Sequence, residues 1–217
     1  MSKIRVDQIV NNAGTGPVEF PKGITRNGQS IGGADQCGNY FIGCCAGQNN
    51  TNGRNNNFLG CYAGYNNYYG SYNNFLGYNA GCNNTTGYYN VAIGAYTNGS
   101  TTGSGNFLGG YAAGYEGMGD SSCNNFIGWY AGGYGDQGDS YCNNFIGYFA
   151  GGCNYNSYDN NFFGSYAGYY NQGNCNNFIG HCAGYYNTSG QDNIAIGRYS
   201  GINNSTGSYN VAIGAYT

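Results

Sequence analysis

The 217-residue chain has very little charge, only two prolines and a single histidine. Charged residues make up 7% of it, against about a quarter in an average protein, and its net charge is −3. The repeat region contains only two cations, Arg54 and Arg198. A nucleic-acid groove needs clustered Lys and Arg side chains for the phosphates, so the composition argues against a nucleic-acid partner.

Long apolar segments and a secretion signal are also missing. No apolar run approaches the roughly 20 residues that a membrane-spanning helix needs, which predicts no membrane insertion. The first ten residues contain no apolar core of a signal peptide. We therefore expect a protein that is made, and kept or assembled, in a cytoplasm.

Motifs for catalysis are scarce. His181 is the sole histidine, and it occupies a variable position of the repeat that elsewhere holds Arg198, Trp129 or Ser165. We expect it at the surface. Neither His181 nor the adjacent Cys182 has a recognisable partner for nucleophilic catalysis. The sequence therefore predicts no enzyme and no cofactor.

The ten cysteines leave two interpretations open. They include no Cys-x-x-Cys pair, so a zinc ribbon or a redox motif has little support. One interpretation is the disulfide framework of a secreted protein. The other, which the irregular spacing and the missing signal peptide favour, is reduced thiols that act as small packing residues.

What the chain does contain is a repeat. Its phrase is clearest at 56–64, Asn-Asn-Phe-Leu-Gly-Cys-Tyr-Ala-Gly, and the glycine after the apolar pair marks eleven copies at spacings of 15 to 19 residues. A copy this short can bury its apolar face only against the next copy. The marking glycines are Gly43, Gly60, Gly77, Gly94, Gly109, Gly128, Gly147, Gly164, Gly180, Gly197 and Gly214.

The short period and the dense glycine exclude helix-pair repeats. We predict an all-β fold: a parallel β-solenoid, or β-roll, of eleven coils of 15–19 residues. At about 4.8 Å per coil the stack is roughly 50 Å long. Ladders of Asn side chains and stacked aromatic rings are expected to stabilise it. Low charge with much Gly and Asn could also indicate disorder, but the apolar pair recurs in phase in every copy.

The apolar pair also predicts the core. The residue before the glycine is always Ile, Leu or Phe, and we predict that this column forms the inner seam. The residue before that is Phe in eight copies and Ala in three, where the next one back becomes Val91, Ile194 or Val211. Strand neighbours face opposite ways, so this exchange moves bulk between faces and predicts a coil covered on both, by its own core and by a neighbouring chain. The predicted seam is Ile42, Leu59, Leu76, Ile93, Leu108, Ile127, Ile146, Phe163, Ile179, Ile196 and Ile213.

The chain divides into two parts. Residues 1–33 hold both prolines and four of the six cations, and they are too few for a separate core. We predict an attachment and assembly arm at 1–33 and a Gly/Asn/Tyr-rich solenoid domain at 34–217.

Acidic residues cluster in the two longest repeats. Solvated loops that keep the protein soluble are the favoured interpretation, and a cation site with Asp136 and Asp139 is the alternative. Loops on a rigid scaffold carry recognition, so the same segments predict the receptor contacts. These are Glu116, Asp120, Trp129 and Tyr134.

The repeat resembles two known kinds of protein. The segments 90–95 and 210–215, Asn-Val-Ala-Ile-Gly-Ala, resemble head repeats of trimeric autotransporter adhesins, which are left-handed parallel β-rolls three chains wide. The longer form, Asn-Asn-Phe-Ile/Leu-Gly-x-x-Ala-Gly with an Asn-Thr-Thr-Gly link, looks like repeats of bacteriophage tail-fibre and related virion proteins. Segment 6–24 is similar to N-terminal arms of phage structural proteins. The signal peptide, coiled-coil stalk and membrane anchor of the autotransporters are missing, which favours the phage.

The resemblance implies a non-enzymatic, homotrimeric fibre of a phage particle, a tail fibre or similar appendage, assembled in the host cytoplasm. Residues 1–33 would bind other virion proteins, and the repeats would contact a host glycan or protein. The alternative is a bacterial surface filament or adhesin that stacks end to end, since the last copy stops at Thr217 without a polar cap. An ice-binding solenoid is disfavoured, because Thr is confined to irregular links. The many tyrosines offer rings on which sugars could stack.

Overall fold

Eleven parallel strands stack in chain order to form a β-solenoid. The computed structural model describes residues 25–26, 29–30, 37–97, 102–115, 119–134 and 140–217, and within these ranges it contains strands and no helix. One parallel sheet holds all eleven three-residue strands. They are β3 (Tyr40–Ile42), β4 (Asn57–Leu59), β5 (Asn74–Leu76), β6 (Val91–Ile93), β7 (Phe107–Gly109), β8 (Asn125–Ile127), β9 (Asn144–Ile146), β10 (Asn161–Phe163), β11 (Asn177–Ile179), β12 (Ile194–Ile196) and β13 (Val211–Ile213).

Two further strands precede the stack. They are β1 (Thr25–Arg26) and β2 (Gln29–Ser30), and they pair antiparallel as a short hairpin. The rest of the predicted arm, at 1–24 and around this hairpin, lies outside the described residues. No helix among the described residues is long and apolar enough to cross a membrane.

Backbone hydrogen bonds hold each coil to both of its neighbours. The Gly60 N–H donates to the Ile42 carbonyl of the coil before at 2.8 Å, and the Gly64 N–H donates to Ala80 of the coil after at 2.9 Å. The pattern continues beyond the labelled strands, for example from Tyr72 back to Arg54 at 2.9 Å. Buried backbone groups must be paired, and here the pairing runs between coils along most of each turn.

The interior is lined by the residue two before the glycine, and the predicted inner seam is wrong. In β10, Phe162 is 0% exposed while Phe163 is 39% exposed. Ten of the eleven predicted seam residues point outward in the same way and are 36% to 65% exposed: Ile42, Leu59, Leu76, Ile93, Ile127, Ile146, Phe163, Ile179, Ile196 and Ile213. Because strand neighbours alternate, an error of one residue exchanges the inner and the outer face.

The fifth coil corrects the repeat register. Leu108 is buried, but it pairs with Ala92 and Phe126 and so belongs to the inner column. The residue in the outward position is Gly109, and the corner glycine is Gly110 (φ 124°). The mark predicted at Gly109 is therefore shifted by one. The inner residues, hereafter the core column, are Phe41, Phe58, Phe75, Ala92, Leu108, Phe126, Phe145, Phe162, Phe178, Ala195 and Ala212.

The phenylalanines of the core column form two stacks of rings. One runs from Phe41 to Phe75 and the other from Phe126 to Phe178, with centroids 4.8 to 5.0 Å apart and planes within 8° of parallel. The coil rise sets this spacing, which suits ring contact. A glycine seats each ring: a Cβ at Gly64 would overlap the ring of Phe58.

A second interior column consists of asparagines. The Asn160 side-chain oxygen accepts from the Asn176 N–H at 2.9 Å, and its amide donates to the Gly173 carbonyl at 3.0 Å. The same two bonds recur at each of the ten steps of the stack. Among the described residues no buried side-chain nitrogen or oxygen lacks a hydrogen-bond partner. The predicted Asn ladder is confirmed. This amide column is Asn39, Asn56, Asn73, Asn90, Asn106, Asn124, Asn143, Asn160, Asn176, Asn193 and Asn210.

Candidate functional site

With the interior filled by rings and amides, the outward surfaces are where the solenoid can act. The first is the column of ten Ile, Leu and Phe side chains that the strands turn outward, hereafter the outer stripe. Their exposed fractions amount to roughly 700 Å² of apolar surface, close to the roughly 800 Å² that each partner of a standard interface buries. An apolar patch of this size on a soluble protein marks an interaction surface.

The outer stripe is straight and periodic except in the fifth coil. There Gly109 occupies its column, and Phe107 lies two residues earlier on the same face. In most coils that flanking position is an Asn that bonds along the stack, as Asn57 does to Asn74 at 2.7 Å. In the three Ala coils it is Val or Ile, which widens the apolar face there. The face thus presents one apolar ridge beside a polar ladder.

The second surface is a chain of aromatic rings along another edge of the solenoid, hereafter the aromatic chain. Every ring lies within 6.4 Å, centroid to centroid, of the next. The chain passes from the second coil to the eleventh through Tyr62, Tyr78, Tyr96, Tyr111, Tyr130, Phe149, Tyr166, His181, Tyr199 and Tyr216. These residues follow the corner glycine by one or two positions. The sequence predicts stacked aromatic rings, but it does not predict a continuous chain of them from coil to coil.

Two of the predicted receptor contacts join the aromatic chain at its centre. Trp129 is 50% exposed and stacks on Tyr111 at 4.4 Å, and Tyr134 stacks on Tyr130 at 5.0 Å. Tyr130 lies between them, 6.2 Å from Trp129. Asp120 is placed differently, because it accepts a hydrogen bond from the Thr102 hydroxyl of the preceding coil. Glu116, Asp136 and Asp139, hence the predicted cation site and part of the receptor surface, lie outside the described residues.

His181 is exposed, as predicted. Its ring contacts Tyr166 and Tyr199, and its Nε2 lies 3.4 Å from the Cys182 Sγ. Burial raises the pKa of the Cys182 thiol, and the opposing effect of Arg198 is smaller. At neutral pH the thiol is therefore protonated, and the pair offers no activated nucleophile.

An open groove of about 350 Å³ lies beside this histidine, lined mainly by Tyr166, Tyr185 and Tyr186. Burial, followed by the neighbouring Tyr170 and Tyr186, raises the pKa of Tyr185 to about 12. The Tyr185 phenol thus stays neutral at physiological pH. The tyrosine ring faces and hydroxyls of the groove suit stacking and hydrogen bonding.

The described residues contain no group of three or more His, Cys, Asp or Glu side chains that could hold a metal ion. The cysteines, all within the described ranges, are present as thiols. Some share columns of neighbouring coils, which the irregular sequence spacing did not reveal.

These features define the class of the protein as a parallel β-solenoid whose outward surfaces are apolar and aromatic. No protein-family model, no curated protein sequence and no solved structure matches the chain.

Proposed function

We propose that the chain is a non-enzymatic structural fibre, built from parallel copies of itself that associate through the outer stripe. The observation that carries the proposal is the regular exposure of ten large apolar side chains in one column. A monomer would leave this ridge in water along its full length. Burial of apolar surface is the main drive for association, so the stripe favours a partner.

A second copy of the chain is the partner that fits best. Consecutive stripe residues rise by one coil, about 4.8 Å, and an identical solenoid has the same rise. Two parallel copies can therefore keep every coil in contact, whereas an unrelated surface would lose register after a few coils. The proposed number of copies, three, comes from the resemblance of 90–95 and 210–215 to the heads of trimeric adhesins.

The setting we propose is a phage particle, as a tail fibre or similar appendage. The support is the virion-type repeat, the low charge and the proline-containing segment 1–33, which would attach the fibre to other virion proteins. Host contact, with a surface glycan or protein, would use the aromatic chain around Trp129, which is 50% exposed and stacks on Tyr111.

The mass of the full-length protein in native solution tests self-association. We expect three times the 23.0 kDa chain mass by light scattering. The double variant Ile146→Lys/Ile179→Lys places charges on the stripe and should be a folded monomer by circular dichroism. Tyr158→Lys is the matched control, since Tyr158 is 48% exposed but lies outside the stripe. A monomeric wild type, or a control that dissociates equally, would refute the stripe as the interface.

The setting needs its own experiment. Antibodies against 37–217 should label particles by immunogold electron microscopy, and deletion of 1–33 should abolish the labelling while leaving the number of chains per assembly, from the native mass, unchanged. Long filaments that form without any particle would favour the surface-filament alternative instead.

A further inference from the structure

Two pairs of cysteines lie in matching positions of neighbouring coils. Cys123 and Cys142 each come directly before an asparagine of the amide column, in the sixth and seventh coils. Cys44 and Cys61 each follow the corner glycine, in the first and second coils. A pair of this kind is separated by the coil rise of about 4.8 Å, within the roughly 4.4 to 6.8 Å between Cα atoms that a disulfide spans.

The geometry of each column is visible in its aromatic members. Tyr72 and Tyr89 occupy the same column as Cys123 and stack with centroids 5.0 Å apart and planes 11° from parallel. Tyr111 and Trp129 occupy the column of Cys61 and stack at 4.4 Å. Side chains of one column therefore point the same way and touch along the stack.

The thiols of each pair are close enough to influence one another. Partial desolvation raises the pKa of the Cys142 thiol, and Cys123 and then Asp159 raise it further. At Cys61 partial desolvation is again first, and a hydrogen bond with Cys44 second.

Both thiols of the Cys123 pair are exposed, and both residues have left-handed backbone, with φ of 60° and 57°. Inter-coil backbone bonds fix them, because Cys142 donates to Ser122 and Cys123 donates to Ser104. The pair is thus positioned by the scaffold and reachable from solvent.

We propose that Cys123 and Cys142, and likewise Cys44 and Cys61, are oxidation sites that form disulfide bonds between neighbouring coils when the folded protein meets a small disulfide such as oxidised glutathione. One thiolate attacks the glutathione disulfide, whose S–S bond breaks and releases one glutathione thiol. The neighbouring protein thiol then loses its proton and attacks the mixed disulfide. The second glutathione leaves, so two protein thiols are oxidised and one glutathione disulfide is reduced.

Cys45 competes for Cys44, since their sulfur atoms are 3.6 Å apart. A disulfide between sequence neighbours would strain the planar peptide bond that joins them, which favours the bond across the coils. In a reducing cytoplasm the pairs stay thiols, and an oxidising medium joins them.

Cys175 provides a matched control within the same column as Cys123. Its neighbours in the stack are Asp159 and Asp192, which add to burial in raising the pKa of its thiol. No thiol stands directly above or below it in that column, so it can form a mixed disulfide with glutathione but no bond between coils.

The experiment incubates the reduced, folded, full-length protein with oxidised glutathione in mildly alkaline buffer, followed by alkylation and peptide mapping by mass spectrometry. We expect linked peptides for Cys123–Cys142 and Cys44–Cys61, and alkylated or glutathione-bound Cys175. In Cys142→Ser, Cys123 should be found alkylated or glutathione-bound, like Cys175, and in no linked peptide. The melting temperature of the oxidised wild type should rise by a few degrees, since each disulfide closes a loop in the unfolded chain.

Circular dichroism shows whether Cys142→Ser keeps the fold, and Cys175→Ser repeats the substitution at the control position, where the two linked peptides should remain. Linked peptides from other combinations, a disulfide-linked dimer on a non-reducing gel, or thiols at 123 and 142 that are modified only singly would each overturn the proposal.

Discussion

Ten of the eleven coils of the solenoid are of two types, and their difference shows how the interior is filled. The fifth coil, with Leu108 in the core column, belongs to neither type. In a Phe coil such as that of Phe162, the ring is followed around the turn by a buried Ala167. In an Ala coil such as that of Ala195, the corresponding residue is the larger Ser200. Thr97 and Thr217 take the same place in the other two Ala coils. The two positions share one space, and volume lost at the first is partly returned at the second.

The residue on the outward face of the strand changes together with the core residue. Six of the seven Phe coils carry Asn before the core residue and the first carries Tyr40, while Ala coils carry Val91, Ile194 or Val211. The amide column, in contrast, is Asn in both types of coil. Its side chain completes backbone bonding that every coil needs, so nothing apolar can replace it. The amide column is thus a requirement of the whole stack, whereas the core residue and the outward residue before it can change together within a single coil.

The largest test of this comparison uses two adjacent phenylalanines in β10. Phe162→Ala should destabilise the protein by about 4 kcal/mol, because it opens a cavity in the ring stack. Phe163→Ala, on the outer stripe, should cost less than about 1 kcal/mol in the stability of the coil itself, because its side chain is already partly in water.

Urea titrations of both variants give these values. They should be run over a range of protein concentrations, because Phe163→Ala is also expected to weaken self-association. Equal losses for the two variants in dilute protein would contradict the assignment of the inner and outer faces.

The next effect concerns the two asparagines before these rings. Asn160→Ala leaves the Asn176 N–H without its partner inside the protein and removes one of the two amide donors to the Gly173 carbonyl, which keeps the donor from Asn171. We expect a loss of about 2 kcal/mol. Asn161→Val gives the outward face the residue type found in Ala coils. It removes the side-chain hydrogen bonds to Asn144 and Asn177, but these groups lie on the outward face, where water can replace the lost bonds. We expect it to change the free energy of unfolding by less than about 1 kcal/mol.

Thermal and urea unfolding of this pair measure the difference. If Asn161→Val were the more damaging change, the amide column would not be what the two types of coil have in common.

How much of this was accessible from the sequence depends on the question. The period and the strand character follow from Gly60 and its counterparts and from the apolar pair, and the solenoid is confirmed. The sequence does not show which residue of the apolar pair faces the core. Phe58 and Leu59 are both large and apolar, and strand alternation puts one of them inside without determining which one. The paired changes at Ala195 and Ser200 contain that information, since only residues that share a core compensate each other's volume.

The fifth coil and the candidate surfaces show a second kind of limit. Phe107-Leu108-Gly109-Gly110 contains two glycines, and only the inter-coil bonding selects Gly110 as the corner. The aromatic chain depends on contacts between coils that are 15 to 19 residues apart in sequence, so small offsets in each copy decide which rings meet. The local sequence pattern therefore predicts the conformation of each coil, while contacts between side chains of neighbouring coils depend on how the coils stack.

A smaller effect on stability is expected from a double substitution that converts an Ala coil into a Phe coil. A partly open hollow of about 510 Å³ lies at the last coils of the stack, lined by Phe178, Ala195, Gly201 and Ala212 among others. Ala195→Phe/Ser200→Ala restores the pair found in Phe coils, with Gly201 in place to seat the ring. We expect a gain of about 1 kcal/mol, typical of cavity filling.

Ser200→Ala alone is the control for this variant. It removes the hydrogen bond from the Ser200 hydroxyl to the Ala212 carbonyl at 2.7 Å and should lose about 1 kcal/mol. A double variant that is no more stable than Ser200→Ala would show that the hollow does not accept a ring.

The smallest effect concerns alkaline pH, where the two types of coil also differ. Three of the seven Phe coils carry a half-buried tyrosine after the turn, Tyr65, Tyr169 and Tyr185, and the Ala coil next to the last of these carries Ile202 in that place. The folded pKa of Tyr185, about 12, is higher than its ordinary value of 10.0, chiefly through burial. The unfolded chain therefore releases this proton first as the pH rises, and the contribution to stability, full below pH 10, is lost between pH 10 and about 12.

Melting temperatures across that range should fall less steeply in Tyr185→Phe than in the wild type, with Tyr209→Phe, at the most exposed tyrosine, as the control for losing a hydroxyl. Identical slopes for Tyr185→Phe and the wild type would mean that the buried phenol does not oppose unfolding in this way.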